Sequence, residues 1–451
     1  MTILERSESG AGELEFPPNF IWGAGTAAYQ IEGGAYEDGR GESIWDRFCA
    51  TPGKTLKGEN GAVACDHYHR WREDIGLMQQ LGLPAYRFSI SWPRIVPAGW
   101  GQINSKGLDF YDRLVDGLLE AGITPYATLY HWDLPQALQD QGGWPNRQTA
   151  YAFAEYAQIV LKRLGDRVKG WFTHNEPWCV AFLGHQVGRH APGLTEPKLA
   201  IAATHHLLLS HGLVVPLIRQ LAPHSQASIS LNLGVFEPAR RGTLDEVAVE
   251  RADCEQNRLF LDPLFKGRYP QELPLLNELY DQLVRPGDLE AMTAPLDFLG
   301  INYYYRSVLE ANPASPTQSI QVKPAGTYTT MGWEVYPPGL YRLLTRLNRD
   351  YPSRYIITEN GASTPDQIGV EGQVVDELRL QYIQEHLKQA ARAIREGVKL
   401  EGYFVWSLLD NFEWAFGYER RFGIIYVDYA TQNRIVKESG KWYSQLIRTH
   451  P

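Results

Sequence analysis

The sequence has 451 residues, of which 44% are hydrophobic and 21% charged, which is the composition of an ordinary globular protein with a sizeable core. Its net charge of −9 argues against nucleic acid as a partner, because nucleic acid binding depends on a basic surface. The sequence contains neither a signal-peptide pattern at its N-terminus nor an unbroken run of about eighteen apolar residues. We therefore expect a cytoplasmic protein that does not bind a membrane.

The first predicted elements follow a polar stretch. Residues 1–15 predict a loose N-terminal tail, followed by one domain over residues 16–451. From Phe16 onward, short runs of β-branched or aromatic residues alternate with longer segments in which apolar residues recur at helical spacing. The short runs predict strands over residues 20–26, 85–90, 123–130, 168–175, 226–233, 297–304, 355–359 and 401–407.

Amphipathic segments lie between these strands and predict helices over residues 105–121, 149–164, 198–221 and 374–396. One face of the first segment carries Leu108, Tyr111, Leu114, Val115, Leu118 and Leu119. Ser105 is a candidate N-cap for that helix. Residues 52–62 and 310–331 are rich in Gly, Pro, Ser and Thr and predict long loops.

Strand and helix alternating eight times predicts a closed parallel barrel, the (β/α)₈ or TIM barrel, as a single domain with extended loops after the strands. The alternative is an open doubly wound sheet, which needs a nucleotide-binding first turn. Residues 23–28, Gly-Ala-Gly-Thr-Ala-Ala, fit the loose glycine pattern of such a turn, but residues 29–34 resemble a loop rather than a helix. Small residues at a tight barrel corner explain this segment better.

The cysteines and histidines predict no metal site and no disulfide framework. The four cysteines contain no Cys-x-x-Cys pair and no dense spacing. The histidines at 67, 69, 205, 206 and 211 lack the spacing of metal ligands and are interpreted as structural. We expect no metal and no cofactor.

Polar residues at the carboxyl ends of the predicted strands indicate where chemistry occurs, because barrel enzymes place their active sites at that end. Two carboxylic acids, Glu176 and Glu359, end the fourth and seventh predicted strands. One such residue alone would more simply be a solvated strand cap or an ion-pair partner. Two at matching ends, on strands that face each other obliquely across the barrel, favour a joint catalytic role.

Two facing carboxylic acids suit the hydrolysis of a glycosidic bond. One acid protonates the leaving oxygen, while its ionised partner attacks the anomeric carbon or activates water there. Their proximity raises one pKa and keeps that group protonated. Pro177 predicts an extended backbone at Glu176, and Gly361 allows a sharp turn after Glu359. The 13 Trp and 25 Tyr are consistent with rings that stack on sugars, although packing alone could use them.

The segments around these acids, Thr173-His174-Asn175-Glu176-Pro177 and Ile357-Thr358-Glu359-Asn360-Gly361, resemble the two signatures of glycoside hydrolase family 1, the β-glucosidase family. Residues 20–33, 86–92, 131–136, 300–304 and 406–414 match in the same order, so the resemblance runs from about Phe16 to about Tyr443. It implies a retaining double displacement in which Glu359 is the nucleophile and Glu176 the acid and then the base, with the carboxyl groups about 5–5.5 Å apart. His174 departs from the family pattern, and we expect it to be a buried, hydrogen-bonded core residue.

The resemblance also implies roles for the residues around the two acids. Arg87 and Tyr304 would contact Glu359, since a cation keeps a nucleophile ionised and a phenol orients it. The nonreducing sugar would be bound by Gln30, His131, Trp132, Asn175, Asn302, Trp406, Glu413, Trp414 and Phe422. In this set Asn175 would hold the 2-hydroxyl and Trp406 would form the stacking floor. The aglycone entrance would be lined by Trp178, Leu183, His185 and Trp333, for which loop packing is the alternative role.

By the same resemblance, Glu413 implies a free sugar, because an ionised carboxylate at the 4- and 6-hydroxyls would repel a 6-phosphate. We therefore predict a small-molecule β-glycoside as substrate, with terminal β-D-glucosyl residues released from cellobiose, short cello-oligosaccharides and aryl or alkyl β-glucosides. The alternatives are a galactosidase, fucosidase or transglycosylase emphasis, or a catalytically silent sugar-binding relative. The oligomeric state is left open.

Overall fold

The computed structural model describes residues 14–315 and 317–450, and eight parallel strands in it close into a barrel. These strands, numbered β1 to β8, are Ile21–Gly25, Ala85–Ser89, Thr124–Tyr130, Gly170–Asn175, Gln226–Asn232, Leu299–Asn302, Tyr355–Asn360 and Leu400–Trp406. Strands that are consecutive in this numbering pair with each other, and β1 pairs with β8 from Ile21 opposite Gly402 to Gly25 opposite Trp406. The predicted TIM barrel and all of its strands are confirmed.

Helices follow every strand and cover the outside of the barrel. The long ones are His67–Leu81, Ser105–Glu120, Gln148–Leu164, Pro197–Leu221, Pro337–Asp350, Glu377–Arg395 and Glu438–Thr449. The shorter ones are Ala28–Ile31, Ile44–Ala50, Trp92–Ile95, Gln136–Gln139, Leu244–Asp253, Leu259–Lys266, Pro274–Leu283 and Asp288–Met292, with 3₁₀ turns at Leu56–Gly58 and Trp414–Phe416 and π turns at Cys179–Leu183 and Cys254–Arg258. The four predicted helices are all present.

An apolar cluster separate from the main core supports the site from below. It consists of Ala85, Tyr126, Phe172, Phe298, Ile356 and Phe404, which lie in or beside six of the barrel strands. The guanidinium of Arg87 lies 5.1 Å from the centre of the Phe172 ring, directly above this cluster. Layers of large side chains fill barrels of this kind, so polar groups gather only at the carboxyl ends of the strands.

The helix Ser105–Glu120 packs the predicted apolar face with two differences. Phe110 is buried and belongs to that face, whereas Leu119 is 42% exposed. Ser105 is the first helical residue rather than the N-cap, and Asn104 occupies the cap position without a side-chain hydrogen bond. The error of one position arises because a cap depends on backbone angles and not on residue type alone.

One of the two predicted loops contains regular structure. The predicted loop 310–331 contains the strand Ser319–Val322 and the end of the strand Arg306–Ala311, which pair in antiparallel fashion. Val235–Pro238 extends this pair to three strands. Turn-forming residues between the two strands concealed this hairpin in the composition of the segment. The other predicted loop, 52–62, contains only the short turn Leu56–Gly58.

The N-terminal segment joins the barrel earlier than predicted. Leu14 is buried, and its carbonyl oxygen accepts a hydrogen bond from Nε2 of His450 at 2.7 Å. The predicted tail 1–15 is therefore wrong at Leu14, whereas Glu15 is exposed as expected, and residues 1–13 lie outside the described part of the chain. The helix Pro197–Leu221 is long and apolar enough to cross a membrane, but 83% of its most apolar window is buried inside the protein, as in a core helix.

The glycines of the first strand are required for packing. A Cβ at Gly23 would lie 2.4 Å from the Phe404 ring, and one at Gly25 would lie 3.2 Å from the Trp406 ring. The interpretation as a barrel corner is therefore supported over a nucleotide-binding turn. The helix Ala28–Ile31 forms one turn and overlaps the predicted loop 29–34, and the amide of Ala28 donates to Ser89 Oγ at 2.7 Å.

Candidate active site

Glu176 and Glu359 meet in a pocket at the carboxyl end of the barrel. Glu176 follows β4 directly, and Glu359 lies in β7. The pocket is lined by His131, Trp132, Asn175, Glu176, Cys179, Leu183, Arg189, His190, Tyr304, Met331, Trp333, Glu359, Trp406, Glu413, Trp414, Phe416 and Phe422. Gln30 and Asn302 lie behind this lining, where they contact Glu413 and Glu176. The fold thus brings the two acids and every predicted sugar-binding residue to one place.

Glu359 is held by a cation and a phenol. Arg87 Nη1 donates to its Oε1 at 2.8 Å, and the Tyr304 hydroxyl donates to its Oε2 at 2.7 Å. Burial raises the pKa of Glu359, while the charge of Arg87 and the hydrogen bonds from Tyr304, Arg87 and Asn302 oppose this rise. Because these groups stabilise the carboxylate, Glu359 is the acid suited to be ionised.

Arg87 links the nucleophile to the sugar-binding residues. It is fully buried in β2, and its Nη2 donates to Asn175 Oδ1 at 2.6 Å. Asn302 Nδ2 also donates to that oxygen, at 3.1 Å, and Thr358 donates to Asn302 Oδ1 at 2.6 Å. Four strands therefore contribute to one hydrogen-bonded network, which holds Asn175 and Glu359 in fixed positions.

Among the described residues, only neutral donors contact Glu176. Asn302 Nδ2 donates to its Oε1 at 2.7 Å, and Cys179 Sγ donates to its Oε2 at 3.2 Å. Burial and the negative charge of Glu359 raise the pKa of Glu176 to about 8. At neutral pH it is therefore protonated and can act as an acid.

The backbone of Glu176 differs from the prediction. Pro177 was expected to keep it extended, but its φ angle is 49°, in the left-handed region. Its amide donates to the Ser230 carbonyl oxygen on the neighbouring strand at 2.9 Å, which secures this conformation. Such strained residues are enriched in active sites.

Gly361, predicted to allow a sharp turn after Glu359, is required for a different reason. A Cβ at this position would lie 1.8 Å from the carbonyl oxygen of Trp406. The glycine is therefore needed so that the chain after β7 can pass close to the end of β8, and not because of a left-handed turn.

Glu413 is a third buried carboxylic acid in the pocket. Gln30 Nε2 approaches its Oε2 at 3.3 Å, and the Gln30 Oε1 atom has no protein partner among the described residues. Burial, followed by the charges of Glu359 and Glu176, raises the pKa of Glu413 to about 8. The prediction of an ionised Glu413 is thus not supported at neutral pH, because burial and two neighbouring carboxylic acids disfavour its charged form.

Aromatic rings form the wall beside Glu413. The ring centres of Trp132 and Trp414 are 4.5 Å apart, and those of His131 and Trp406 are 5.7 Å apart with nearly parallel planes. Burial lowers the pKa of His131 well below its usual value, so this ring is neutral. Flat apolar rings next to unpaired polar atoms are suited to bind one face and the hydroxyls of a sugar.

Two of the four residues predicted at the entrance do not line the pocket. Leu183 and Trp333 are lining residues, whereas Trp178 stacks on Phe182 with ring centres 5.7 Å apart. His185 is fully buried and hydrogen bonded through Nδ1 to the Val180 carbonyl oxygen at 3.0 Å. Both residues flank the π turn Cys179–Leu183, an irregularity that spacing along the sequence does not reveal.

Comparison with known proteins agrees with this geometry. The sequence model of glycosyl hydrolase family 1 matches residues 13–451. The chain belongs to this family.

Family 1 relatives match over nearly their whole length. The chain is 50% identical to "Beta-glucosidase A" of Acetivibrio thermocellus, with 97% of this chain and 99% of that protein covered. It is 47% identical to a bifunctional beta-D-glucosidase/beta-D-fucosidase of Bifidobacterium breve, covering 96% of this chain and 98% of that protein. The structure of the family 1 β-glucosidase from Thermotoga maritima superposes with a TM-score of 0.94 at 48% identity, over 97% of this chain and 99% of that one.

Five pocket residues of this family 1 chain were missed by sequence reasoning. They are Cys179, Arg189, His190, Met331 and Phe416. Cys179 lies three residues after Glu176 within a helical turn, a spacing that could have indicated contact. Phe416 ends the 3₁₀ turn Trp414–Phe416, so its closeness in sequence to Glu413 and Trp414 was a signal as well. Arg189, His190 and Met331 lie in loops, where neither strand ends nor helical spacing gave a signal.

The histidines set aside as structural are all paired with other protein groups. His67 binds Asp74, His69 binds Asp66 and Glu37, His205 binds Asp288 and Tyr269, His206 binds the Trp144 carbonyl oxygen, and His211 binds Thr173. His174 is buried and its Nε2 lies 2.8 Å from Ser210 Oγ, as expected for a core residue. All four cysteines are free and buried.

Proposed function

We propose that this chain is a retaining β-glucosidase that releases glucose from the nonreducing end of small β-glucosides. This proposal rests on the unequal surroundings of two buried acids. Arg87 and Tyr304 contact Glu359, whereas every donor to Glu176 in the described part of the chain is neutral. This asymmetry supports one ionised and one protonated carboxyl group, which double displacement requires.

In the first step, the Glu359 carboxylate attacks the anomeric carbon while Glu176 transfers its proton to the departing glycosidic oxygen. The products are a covalent glycosyl-enzyme and the free aglycone alcohol. Asn175, held by Arg87 and Asn302, is placed to hydrogen bond the sugar 2-hydroxyl as positive charge develops at the ring.

In the second step, Glu176 accepts a proton from water as the water oxygen attacks the anomeric carbon and Glu359 leaves as a carboxylate. Formation of the ester removes the negative charge of Glu359, which is one cause of the raised pKa of Glu176. The pKa of Glu176 therefore falls in the intermediate, so the former acid becomes a base when the second step needs one.

The inner end of the pocket supports an unphosphorylated sugar as substrate. Glu413 and the unpaired Oε1 of Gln30 offer hydrogen-bonding atoms for neutral hydroxyls, and the rings of Trp132 and Trp414 offer apolar faces. A 6-phosphate would meet Glu413 there, and this carboxyl group repels the phosphate when it is ionised. Since the Bifidobacterium breve relative is named for glucosidase and fucosidase activity, a 6-deoxy sugar is a second substrate to test.

The test is a panel of 4-nitrophenyl β-glycosides run beside cellobiose. We expect the glucoside to be hydrolysed with retention of configuration, which NMR detects as initial release of β-glucose. Glucose release with inversion would contradict the assigned roles of Glu176 and Glu359. Binding of glucosides without any release of nitrophenol would instead favour a silent sugar-binding protein.

A further inference from the structure

Arg189 is the only Lys or Arg among the described residues that line the pocket. The same lining contains three carboxylic acids, Glu176, Glu359 and Glu413. Its two histidines are neutral, because burial lowers the pKa of His131 well below its usual value and that of His190 to about 3. A single cation thus lies at the edge of a pocket that otherwise carries only negative or neutral groups.

The backbone on both sides of Arg189 is anchored. The amide of Val187 donates to the Phe182 carbonyl oxygen at 2.8 Å, and the amide of His190 donates to that of Leu183 at 3.1 Å. The His190 ring then packs 5.1 Å from the ring centre of Trp132 in the pocket wall. The backbone of Arg189 is therefore held at a defined point of the pocket edge, from which its side chain extends.

The side chain of Arg189 serves no visible structural role. It is exposed, and no described residue forms a hydrogen bond or ion pair with it. Other arginines of this chain show the usual pattern, since Arg94 binds Glu32 and Arg306 binds Glu334. An arginine that lines a pocket without a partner is available to an anionic ligand.

The charge of Arg189 acts on the side of the pocket where the aglycone departs. Burial raises the pKa of the Cys179 thiol, and the positive charge of Arg189 opposes this rise. Cys179 contacts Glu176, the acid that protonates the leaving oxygen. The positive charge of Arg189 therefore acts near Glu176, on the side of the pocket where the leaving group departs. Glu413 and Gln30 lie on the opposite side, where the sugar binds.

We infer that Arg189 binds an oxyanion carried by the aglycone, so that the enzyme accepts β-glucosides with an acidic aglycone such as a carboxyphenyl group. This inference rests on the proposed β-glucosidase function. A guanidinium matches the two oxygens of a carboxylate or sulfonate in a planar, bidentate contact. Without such a cation, the ionised Glu359 would disfavour an anionic aglycone.

The test compares 4-carboxyphenyl β-glucoside with 4-carbamoylphenyl β-glucoside, which has nearly the same shape without the charge. Removing the cation in Arg189→Gln should lower kcat/KM for the carboxylate about threefold to tenfold, the value of a partly exposed charged contact. The carbamoyl substrate should change little, and Arg189→Lys should retain part of the preference. A 4-sulfophenyl β-glucoside, run in parallel, separates carboxylate from sulfonate recognition.

Arg241→Gln is the matched control, because Arg241 is exposed and lies outside the pocket lining. It removes the same charge and should leave the ratio between the two substrates unchanged. An equal loss on both substrates in Arg189→Gln would show that Arg189 only shapes the pocket, and no loss on either would show that it binds nothing. Both outcomes overturn the inference.

Binding measurements separate this inference from the proposed function. Isothermal titration of both glucosides into Glu359→Gln, with and without Arg189→Gln, reports the carboxylate preference when hydrolysis is blocked. If the unsubstituted enzyme hydrolyses neither compound, the proposed function fails. The titrations then still decide the role of Arg189. Tighter binding of the carboxylate than of the carbamoyl compound, abolished by Arg189→Gln, would support the inference, and equal binding of both would overturn it.

Discussion

Arg87 Nη1 lies 2.8 Å from Oε1 of Glu359, and both side chains are almost completely buried. A buried ion pair of this kind contributes little net stability, because desolvation offsets most of the attraction. Its consequence here is chemical. It keeps one of two neighbouring acids ionised, and the ionised acid in turn keeps Glu176 protonated.

Loss of the nucleophile should abolish hydrolysis. In Glu359→Ala we expect kcat to fall by a factor on the order of 10⁴ or more. Azide should partly restore activity with an activated aryl glucoside by entering the space of the missing carboxylate, and should yield the α-glucosyl azide. Glu371→Ala, at an exposed position outside the pocket lining, is the control and should retain full activity. Full activity of Glu359→Ala would disprove the assignment.

Loss of the acid should depend on the leaving group. In Glu176→Gln, cellobiose hydrolysis should fall by about 10²–10⁴-fold, the usual contribution of general acid catalysis. A 2,4-dinitrophenyl glucoside needs no protonation, so its first step should be nearly unaffected, and a burst of dinitrophenol should precede slow turnover. Pre-steady-state absorbance measures this burst. Equal losses in the first step for both substrates would contradict an acid role for Glu176.

The pH profile should report the two acids. Because Glu176 must be protonated and its pKa is about 8, kcat/KM should fall as pH rises through about 8. At the acid end, kcat/KM should fall as Glu359 becomes protonated. Glu413 has a similar pKa, so the alkaline fall should persist in Glu413→Gln and disappear in Glu176→Gln. An alkaline fall that persists in Glu176→Gln and disappears in Glu413→Gln would assign it to Glu413.

Removal of the Arg87 charge should shift the pH profile of kcat/KM on its acid side, called the acid limb below. In Arg87→Gln, Glu359 loses the charge that lowers its pKa, so this pKa rises and the acid limb of kcat/KM moves to higher pH. Breaking the buried pair should also lower the free energy of unfolding by about 3–5 kcal/mol. Arg94→Gln breaks another buried pair, with Glu32, outside the pocket. It should lower stability similarly without moving the acid limb, and a shift in both variants would contradict the specific role of Arg87.

Gly361 should not tolerate a side chain. Its Cβ would lie 1.8 Å from the Trp406 carbonyl oxygen, so Gly361→Ala should lower the free energy of unfolding by at least about 1–3 kcal/mol and displace Glu359 two residues away. Gly76 lies in the helix His67–Leu81, and outside that helix nothing lies within 4 Å of the position that a methyl group would take there. Gly76→Ala should therefore stabilise the protein by about 0.5–1 kcal/mol. Urea unfolding of both variants checks the opposite signs.

The barrel and the positions of its two acids were predictable from local patterns. Eight apolar runs separated by helical segments allow few topologies, and in a parallel barrel the last residues of all strands meet at one end. The positions of Glu176 and Glu359 at strand ends therefore implied that they come together. The family signatures supplied their roles and those of Arg87 and Tyr304.

Only the tertiary structure decided how these residues are charged and which loops reach the pocket. The left-handed backbone of Glu176 and the raised pKa of Glu413 depend on neighbours that are distant in sequence. His185 turns into the core while Arg189, four residues later, lines the pocket. Burial and loop direction arise from contacts across the whole barrel, whereas a sequence pattern reports only the spacing of residues along the chain.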